Sequence, residues 1–277
     1  IQSADLKNGQ QIIDAGCGVA GPACYFAAQL PQIKIEACTI SDVQAEKAKE
    51  KVAERGLQNQ VSVTLGDYHK LSELFSENSF DRVIFLESFG HSKNKTLAIE
   101  TAFKVLKPGG KLYIKDLFVR ESNNEWEQLR INHICEQINE GYAYEVGNIH
   151  EVFSAIRKQG FILNFIRPPQ VDLSKFEHLS ISNEFQNLFN ISKIDSWDGY
   201  VFPIDFYEIL AEKPEDIQLN EQLEQLEIPI KAAYILQYIR EIPATLKTVQ
   251  LNNKLNEGWE MDLRDVVDDF ITRFPSI

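Results

Sequence analysis

The stretch Ile12-Ile13-Asp14-Ala15-Gly16-Cys17-Gly18-Val19-Ala20-Gly21-Pro22 decides how the rest of the chain is read. Its apolar start, up to Ile13, has the composition of a strand covered on both faces. The glycines Gly16, Gly18 and Gly21 allow a tight turn that a ligand can approach where a Cβ would collide. A helix predicted over Ala23 to Leu30 begins behind Pro22, with its first backbone N–H groups turned toward the glycines. An acid, Asp14, stands just before the first of them. Such a turn is shared by several nucleotide-binding folds and by ordinary strand–helix connections, so the remaining chain has to choose among them.

Outward from the turn, the first half alternates strand and helix with short connections, the pattern of a parallel sheet. Strands are predicted at Ile33 to Ile40, Val61 to Leu65, Phe80 to Leu86 and Lys111 to Leu117, with helices at Asp42 to Arg55 and Lys95 to Leu106. Gly56 ends the first of these helices, and Lys107-Pro108-Gly109-Gly110 stops the second. The rhythm breaks at Val119 to Gly147, a polar insert with a helical pattern around Glu125 to Asn139. A helix at Ile149 to Gln159 and a strand at Phe161 to Arg167 resume it. A helical excursion from Leu173 to Trp197 precedes a last strand, Val201 to Glu212. From Pro214 to Ile277 there are apolar helical stretches, Ile230 to Ile239 and Leu263 to Phe270, without strand alternation. The expected organisation is a core over 1–213, with a lid insert over 119–148, and a helical appendage or inter-domain linker over 214–277.

The chain has 277 residues and a net charge of −13. That disfavours nucleic acid as a partner, because phosphate binding needs a basic stripe. Hydrophobic residues form 44% of the chain, ample for a core. No apolar run reaches the roughly 18 residues that would span a bilayer, and the start is not signal-like, so a soluble protein without a membrane partner is expected. The four cysteines, Cys17, Cys24, Cys38 and Cys135, form no C-x-x-C pair. Neither a disulfide framework nor a zinc site is expected, and a cytoplasmic location fits. Residue 1 is Ile rather than Met, as expected of a piece of something longer.

In an open parallel sheet, ligands bind beyond the carboxyl ends of the strands. After the first strand, Asp14, Gly16, Cys17, Gly18 and Gly21 resemble the D/E-x-G-x-G-x-x-G signature of class I S-adenosylmethionine (SAM) methyltransferases. The alternative for this stretch alone is a plain Rossmann turn that binds NAD or nothing. After the second, Thr39-Ile40-Ser41-Asp42-Val43-Gln44 resembles the T-x-S-x-x-Q segment of the cyclopropane-synthase and sterol-methyltransferase branch. Where a dinucleotide protein sets an acid on the ribose hydroxyls, this chain offers Thr39, Ser41 and Gln44, with Asp42 as a shifted alternative. Ser41 is also a natural helix cap. After the third, Gly66-Asp67-Tyr68 matches the place where the family sets an acid on the adenine amino group. After the fourth, Glu87-Ser88-Phe89-Gly90-His91 resembles the E-S-x-x-H segment of sterol and tocopherol methyltransferases, a loop beside the sulfonium and the substrate. Leu106-Lys107-Pro108-Gly109-Gly110 completes the pattern. The resemblance implies a Rossmann-like α/β class I methyltransferase, with a seven-stranded mostly parallel sheet, a helical lid insert and a helical C-terminal tail, using SAM.

The methyl acceptor is chosen by the insert. Within Asn132-His133-Ile134-Cys135-Glu136-Gln137, His133 and Gln137 share a helix face with Cβ atoms about 5–6 Å apart. Such a pair can share one ion, iron or manganese rather than structural zinc, although at this spacing it is usually a solvated face or a hydrogen-bonded lid contact. The chain also resembles methyltransferase domains in loading modules of cyanobacterial polyketide synthases of the apratoxin type. That likeness implies a mononuclear metal held by His133 and Gln137, a malonyl-type substrate on an acyl carrier protein, and neighbouring synthase domains. The metal would stabilise an enolate as a Lewis acid. His91 or Glu87 would then be the base, and Tyr142 or Tyr144 would orient the acyl group. Lys93, Lys95, Arg130, Arg157 and Lys158 would form a basic patch for the acidic carrier. Two other readings stay open: a metal-free enzyme for a sterol- or prenyl-lipid-like molecule, in which Glu87 stabilises a cationic intermediate, and an inactive methyltransferase-like scaffold.

Overall fold

The computed structural model describes residues 1–169 and 203–215, all within one compact unit, Ile1–Glu215. Strand β1 (Gln11–Ala15) lies at the centre and pairs in parallel with β2 (Lys34–Thr39) on one side and β4 (Phe80–Leu86) on the other. Outside β2 runs β3 (Val61–Leu65), and outside β4 runs β5 (Leu106–Val119), both parallel. The far edge is formed by β7 (Ile204–Glu212), antiparallel to β5, and then β6 (Ile162–Arg167). The seven strands are thus ordered 3-2-1-4-5-7-6, the mostly parallel sheet that was expected. The direction of winding reverses at β1, which opens a crevice between the loops after β1 and β4.

Helices cover both faces, and the strands explain how. Along β4, Val83 and Phe85 point to one side and Ile84 to the other, the period of two that a pleated strand imposes. The first side packs on α4 (Lys95–Val105) and α6 (Ile149–Lys158) through Ile99, Ala102, Val152 and Ile156. The second packs on α1 (Gly21–Gln29) and α2 (Asp42–Glu54) through Ala23, Phe26, Ala48 and Val52. Burial on both faces makes the strands read as near-continuous apolar runs.

Some boundaries differ from the sequence reading. Helix α1 begins at Gly21, with Pro22 inside its first turn, where a missing N–H leaves no bond unmade. Strand β5 begins at Leu106 rather than Lys111, with a register shift against β4 between Phe80 and Arg82. The Lys107-Pro108-Gly109-Gly110 run is therefore an irregular strand start. Gly109 has φ +74°, and a Cβ on Gly110 would lie 2.7 Å from the Lys107 carbonyl oxygen. A one-turn 3-10 helix at Tyr68–Lys70 and a short α3 (Leu71–Leu74) follow β3, where only a connection was read. The insert carries α5 (Glu125–Tyr142), longer than its polar pattern indicated. The predicted helical excursion over 173–197 and the apolar stretches over 230–239 and 263–270 lie outside the described residues. Among the described residues no helix is long and apolar enough to cross a membrane.

Candidate active site

The loop after β1 is tied down by its neighbours. Gly16 and Cys17 donate their N–H groups to the Cys38 carbonyl at 2.9 and 2.8 Å, turning the loop over the end of β2. Gly16 has φ +82°, and a Cβ there would sit 2.5 Å from the Cβ of Ser88, so only glycine lets the two loops cross. At Gly18 and Gly21 a Cβ would meet nothing within 4 Å; these positions face open space. Ala20 caps α1 with backbone alone and offers no side-chain bond, which leaves the first-turn N–H groups for an incoming acceptor.

Beneath this loop Asp14 is buried, and its Oδ2 has no hydrogen-bond partner among the described residues. Burial pushes its carboxyl up to about 7. A buried acid with an unbonded oxygen under an open glycine turn fits a ligand that carries positive charge and donates hydrogen bonds. The Cys17 thiol is pushed up to about 12 by burial, with the Asp14 and Cys38 charges adding to it, which makes it a packing group rather than a nucleophile.

The loops after β2 and β3 form the other wall. Thr39 Oγ1 donates to Gln44 Oε1 at 2.9 Å, and Ser41 Oγ accepts the Gln44 N–H at 3.3 Å, capping α2. The three residues expected at the ribose are therefore together, with Gln44 Nε2 outside these bonds. Gly66 N–H bonds the Thr39 carbonyl at 2.8 Å, which sets the next loop beside them. There Asp67 Oδ1 accepts the His69 N–H at 2.9 Å. Tyr68 turns inward: its ring packs edge-on against Phe85 and its hydroxyl donates to the Ser88 carbonyl at 3.1 Å, so that side chain belongs to the core.

At the end of β4, Glu87 has a left-handed backbone, φ 55°, and its carboxylate pairs with Lys115 at 3.0 Å. Both line a cavity of about 680 Å³ with Pro168, Pro169, Phe206 and Tyr207, beyond the carboxyl ends of the parallel strands. Ser88 is buried and donates to the Ala15 carbonyl at 2.5 Å. His91 stands elsewhere, with Nδ1 3.2 Å from the Ala143 carbonyl and its ring against Tyr144 at 4.7 Å.

A carboxylate absent from the sequence reading joins these pieces. Asp116, at the carboxyl end of β5, accepts the N–H groups of Phe89 and Gly90 at 2.8 and 3.1 Å, and the Tyr144 hydroxyl donates to its other oxygen. Burial raises both the Asp116 carboxyl and the Tyr144 phenol. The Tyr144 ring occupies the space that a Cβ on Gly90 would need. Glu145 N–H bonds the Gly90 carbonyl at 2.7 Å, and Lys95 Nζ bridges the Ser92 and Glu145 carbonyls. Residues 143–147 thus strap down the β4 loop. Lys95 is a buttress of that strap rather than a free cation for a docking patch. The signal for Asp116 was an acid in the apolar run Tyr113-Ile114-Lys115-Asp116-Leu117, just where ligand-side residues lie.

His133 and Gln137 do meet, with Nε2 atoms 3.5 Å apart. Helix α5, however, packs through Ile131, Cys135 and Ile138, and the pair lies on its exposed face, with His133 Nδ1 3.9 Å from Glu136. Among the described residues no three His, Cys, Asp or Glu are placed to hold a metal ion. The iron or manganese expected at the pair therefore finds no support here. Spacing by four fixes which residues share a face, not which face the core takes.

Residues 1–175 match the family model of mycolic acid cyclopropane synthetase. The chain belongs to this family. The curated relatives it matches are methyltransferases, and Asp14 with the open glycine turn fits the SAM cation. The methyltransferase GfsG of Streptomyces halstedii is 34% identical over 116 residues, covering 42% of this chain and 41% of the relative. A sterol 24-C-methyltransferase of Gibberella zeae is 32% identical over 158 residues, covering 56% and 40%. The chain therefore spans about 40% of the length of these curated relatives. Geranyl diphosphate C-methyltransferase from Streptomyces coelicolor shares the fold at a TM-score of 0.59 and 16% identity, covering 76% of this chain and 74% of that one. The cyclase SpnF shares it at 0.58 and 21%, covering 78% of each.

Proposed function

We propose that this methyltransferase places the SAM methyl group on a carbon of a hydrophobic small molecule of the sterol or prenyl type. The observation that carries the reading is the cavity of about 680 Å³ beside Glu87, walled by Pro168, Pro169, Phe206 and Tyr207. An apolar body fits such walls, and Glu87, which lines the cavity together with Asp205, stands where charge develops. The names of the sterol and geranyl diphosphate relatives support the same acceptor class.

SAM supplies an electrophilic methyl on a sulfonium. Asp14, the glycine turn and Asp67 would hold and orient it, with the acceptor in the cavity beside Glu87. When an alkene carbon takes the methyl, its C–C bond forms as the S–CH₃ bond breaks, and positive charge moves to the neighbouring carbon. Glu87 and the aromatic face of Tyr207 stabilise that charge, once Lys115, which pairs with Glu87 and lies 5.1 Å over the Phe206 ring, gives way. Loss of a proton from the adjacent carbon to Glu87 completes the transfer.

The test is methyl-labelled SAM with a sterol alkene, a prenyl diphosphate and a malonyl thioester on a carrier protein, each with and without chelator. Label on carbon of a sterol or prenyl acceptor in the presence of chelator is expected. Labelling of the malonyl thioester alone, and only with iron or manganese, overturns the proposal and restores the polyketide reading. Glu87→Gln should lower kcat about 100-fold, the scale of removing one charge-stabilising group, with SAM affinity within about threefold.

A further inference from the structure

Asp67, His69 and Ser92 stand in a line at the edge of the site. His69 Nδ1 lies 2.7 Å from Asp67 Oδ1, and Nε2 lies 2.7 Å from Ser92 Oγ. The imidazole side chain is 19% exposed and its ring packs on Tyr68 at 4.7 Å. Such an order has the look of a hydrolytic triad, but Ser92 is fully buried and its oxygen also accepts the Asn94 N–H at 3.2 Å. No substrate carbonyl can reach it, so nucleophilic work is not its role.

The geometry points to another one. We propose that His69 is a positioning residue that makes the site select adenine, by fixing Asp67 toward the 6-amino group of SAM. The proposal rests on Asp67 as the adenine contact. An ionised carboxylate only accepts, so Nδ1 carries the hydrogen and Nε2 accepts from the Ser92 hydroxyl. An imidazole tied at both nitrogens cannot swing, and Ser92 anchors it in the interior. Asp67 Oδ1 then takes two donors from one residue, the His69 N–H and Nδ1–H. That directs Oδ2, which makes none of these bonds, outward as the acceptor. A base with an amino group satisfies it, whereas a base without one leaves a charged acceptor unpaired as the site closes.

The experiment is calorimetric titration with S-adenosylhomocysteine and with its analogue lacking the 6-amino group. Wild type should prefer the amino ligand by about tenfold, the value of one hydrogen bond to a charged group. Asp67→Ala should erase the preference. His69→Leu should reduce it to about twofold while affinity for the deaminated analogue stays near wild type, because only the aim of Asp67 is lost. His69→Asn keeps a donor for Asp67 and should recover most of it. Ser92→Ala, which frees only the far anchor, should lower it part-way and serves if His69→Leu does not fold. No preference in wild type sinks the Asp67 reading itself. A wild-type preference that Asp67→Ala erases but His69→Leu and Ser92→Ala leave intact overturns the role of His69 alone.

Discussion

Asp14 and Gly16 show how much of the site is decided by single residues. The Asp14 carboxyl is raised by burial from an ordinary 3.8 to about 7. In the unfolded chain it ionises near its ordinary value, while in the folded chain it stays protonated up to about neutrality. Across that window the unfolded state binds fewer protons, so stability that is complete at lower pH is lost as pH rises through about 7. Asp14→Asn should therefore flatten the fall in Tm of the ligand-free protein between about pH 4 and 7, measured by calorimetry. A bound sulfonium draws the same carboxyl back down, so SAM binding near neutrality should release part of a proton. Titration in buffers of different ionisation enthalpy reads that release, and Asp14→Asn should abolish it. Gly16→Ala should cost about 1–2 kcal/mol for its left-handed backbone alone, and more because its Cβ meets Ser88 at 2.5 Å. Gly18→Ala, with open space around it, should incur only the backbone cost, and the two variants compared by thermal melting separate the effects.

Elements were legible where a helix or strand buries a continuous face, and less so where a loop crosses another. The strands β1 to β4 were read close to their observed bounds because both sheet faces are covered. Helix α2 was read well because Ser41 caps it and the charged pattern ends before Gly56. The irregular start of β5 was read as a helix stop, since proline and glycine mark both. The strap at 143–147 left no mark at all: it depends on Tyr144 meeting Asp116 and Gly90, which are distant along the chain. Gly90→Ala should displace Tyr144, and hydrogen exchange should then show lost protection at Glu145, whose N–H bonds Gly90 at 2.7 Å. Tyr144→Phe removes only the hydroxyl and should cost about 1–3 kcal/mol by leaving Asp116 short of a donor, read as a shift in the denaturation midpoint.

At the scale of the whole molecule, the glycine turn after β1 and the cavity beside Glu87 lie beyond the same ends of the parallel strands but are built from different elements. Phe206→Ala should therefore raise KM for a hydrophobic acceptor severalfold with little change in SAM affinity, measured by steady-state kinetics against equilibrium binding, as expected of a lost apolar wall. The sequence by itself carried the mostly parallel sheet, the alternation of strand and helix and the SAM-type motifs. Those depend on local periodicity, glycine backbone freedom and motifs that each follow one strand. Only the tertiary structure decided that Asp14 Oδ2 has no partner among the described residues, that Tyr68 belongs to the core and that Asp116 gathers the β4 loop and Tyr144. It also turned His133 and Gln137 to the solvent face of α5. Each of these rests on contacts between residues far apart in the chain, and a pattern of residue types has no information about which face or loop will meet which. Packing made that choice, and with it the shape of the cavity in which an acceptor can lie.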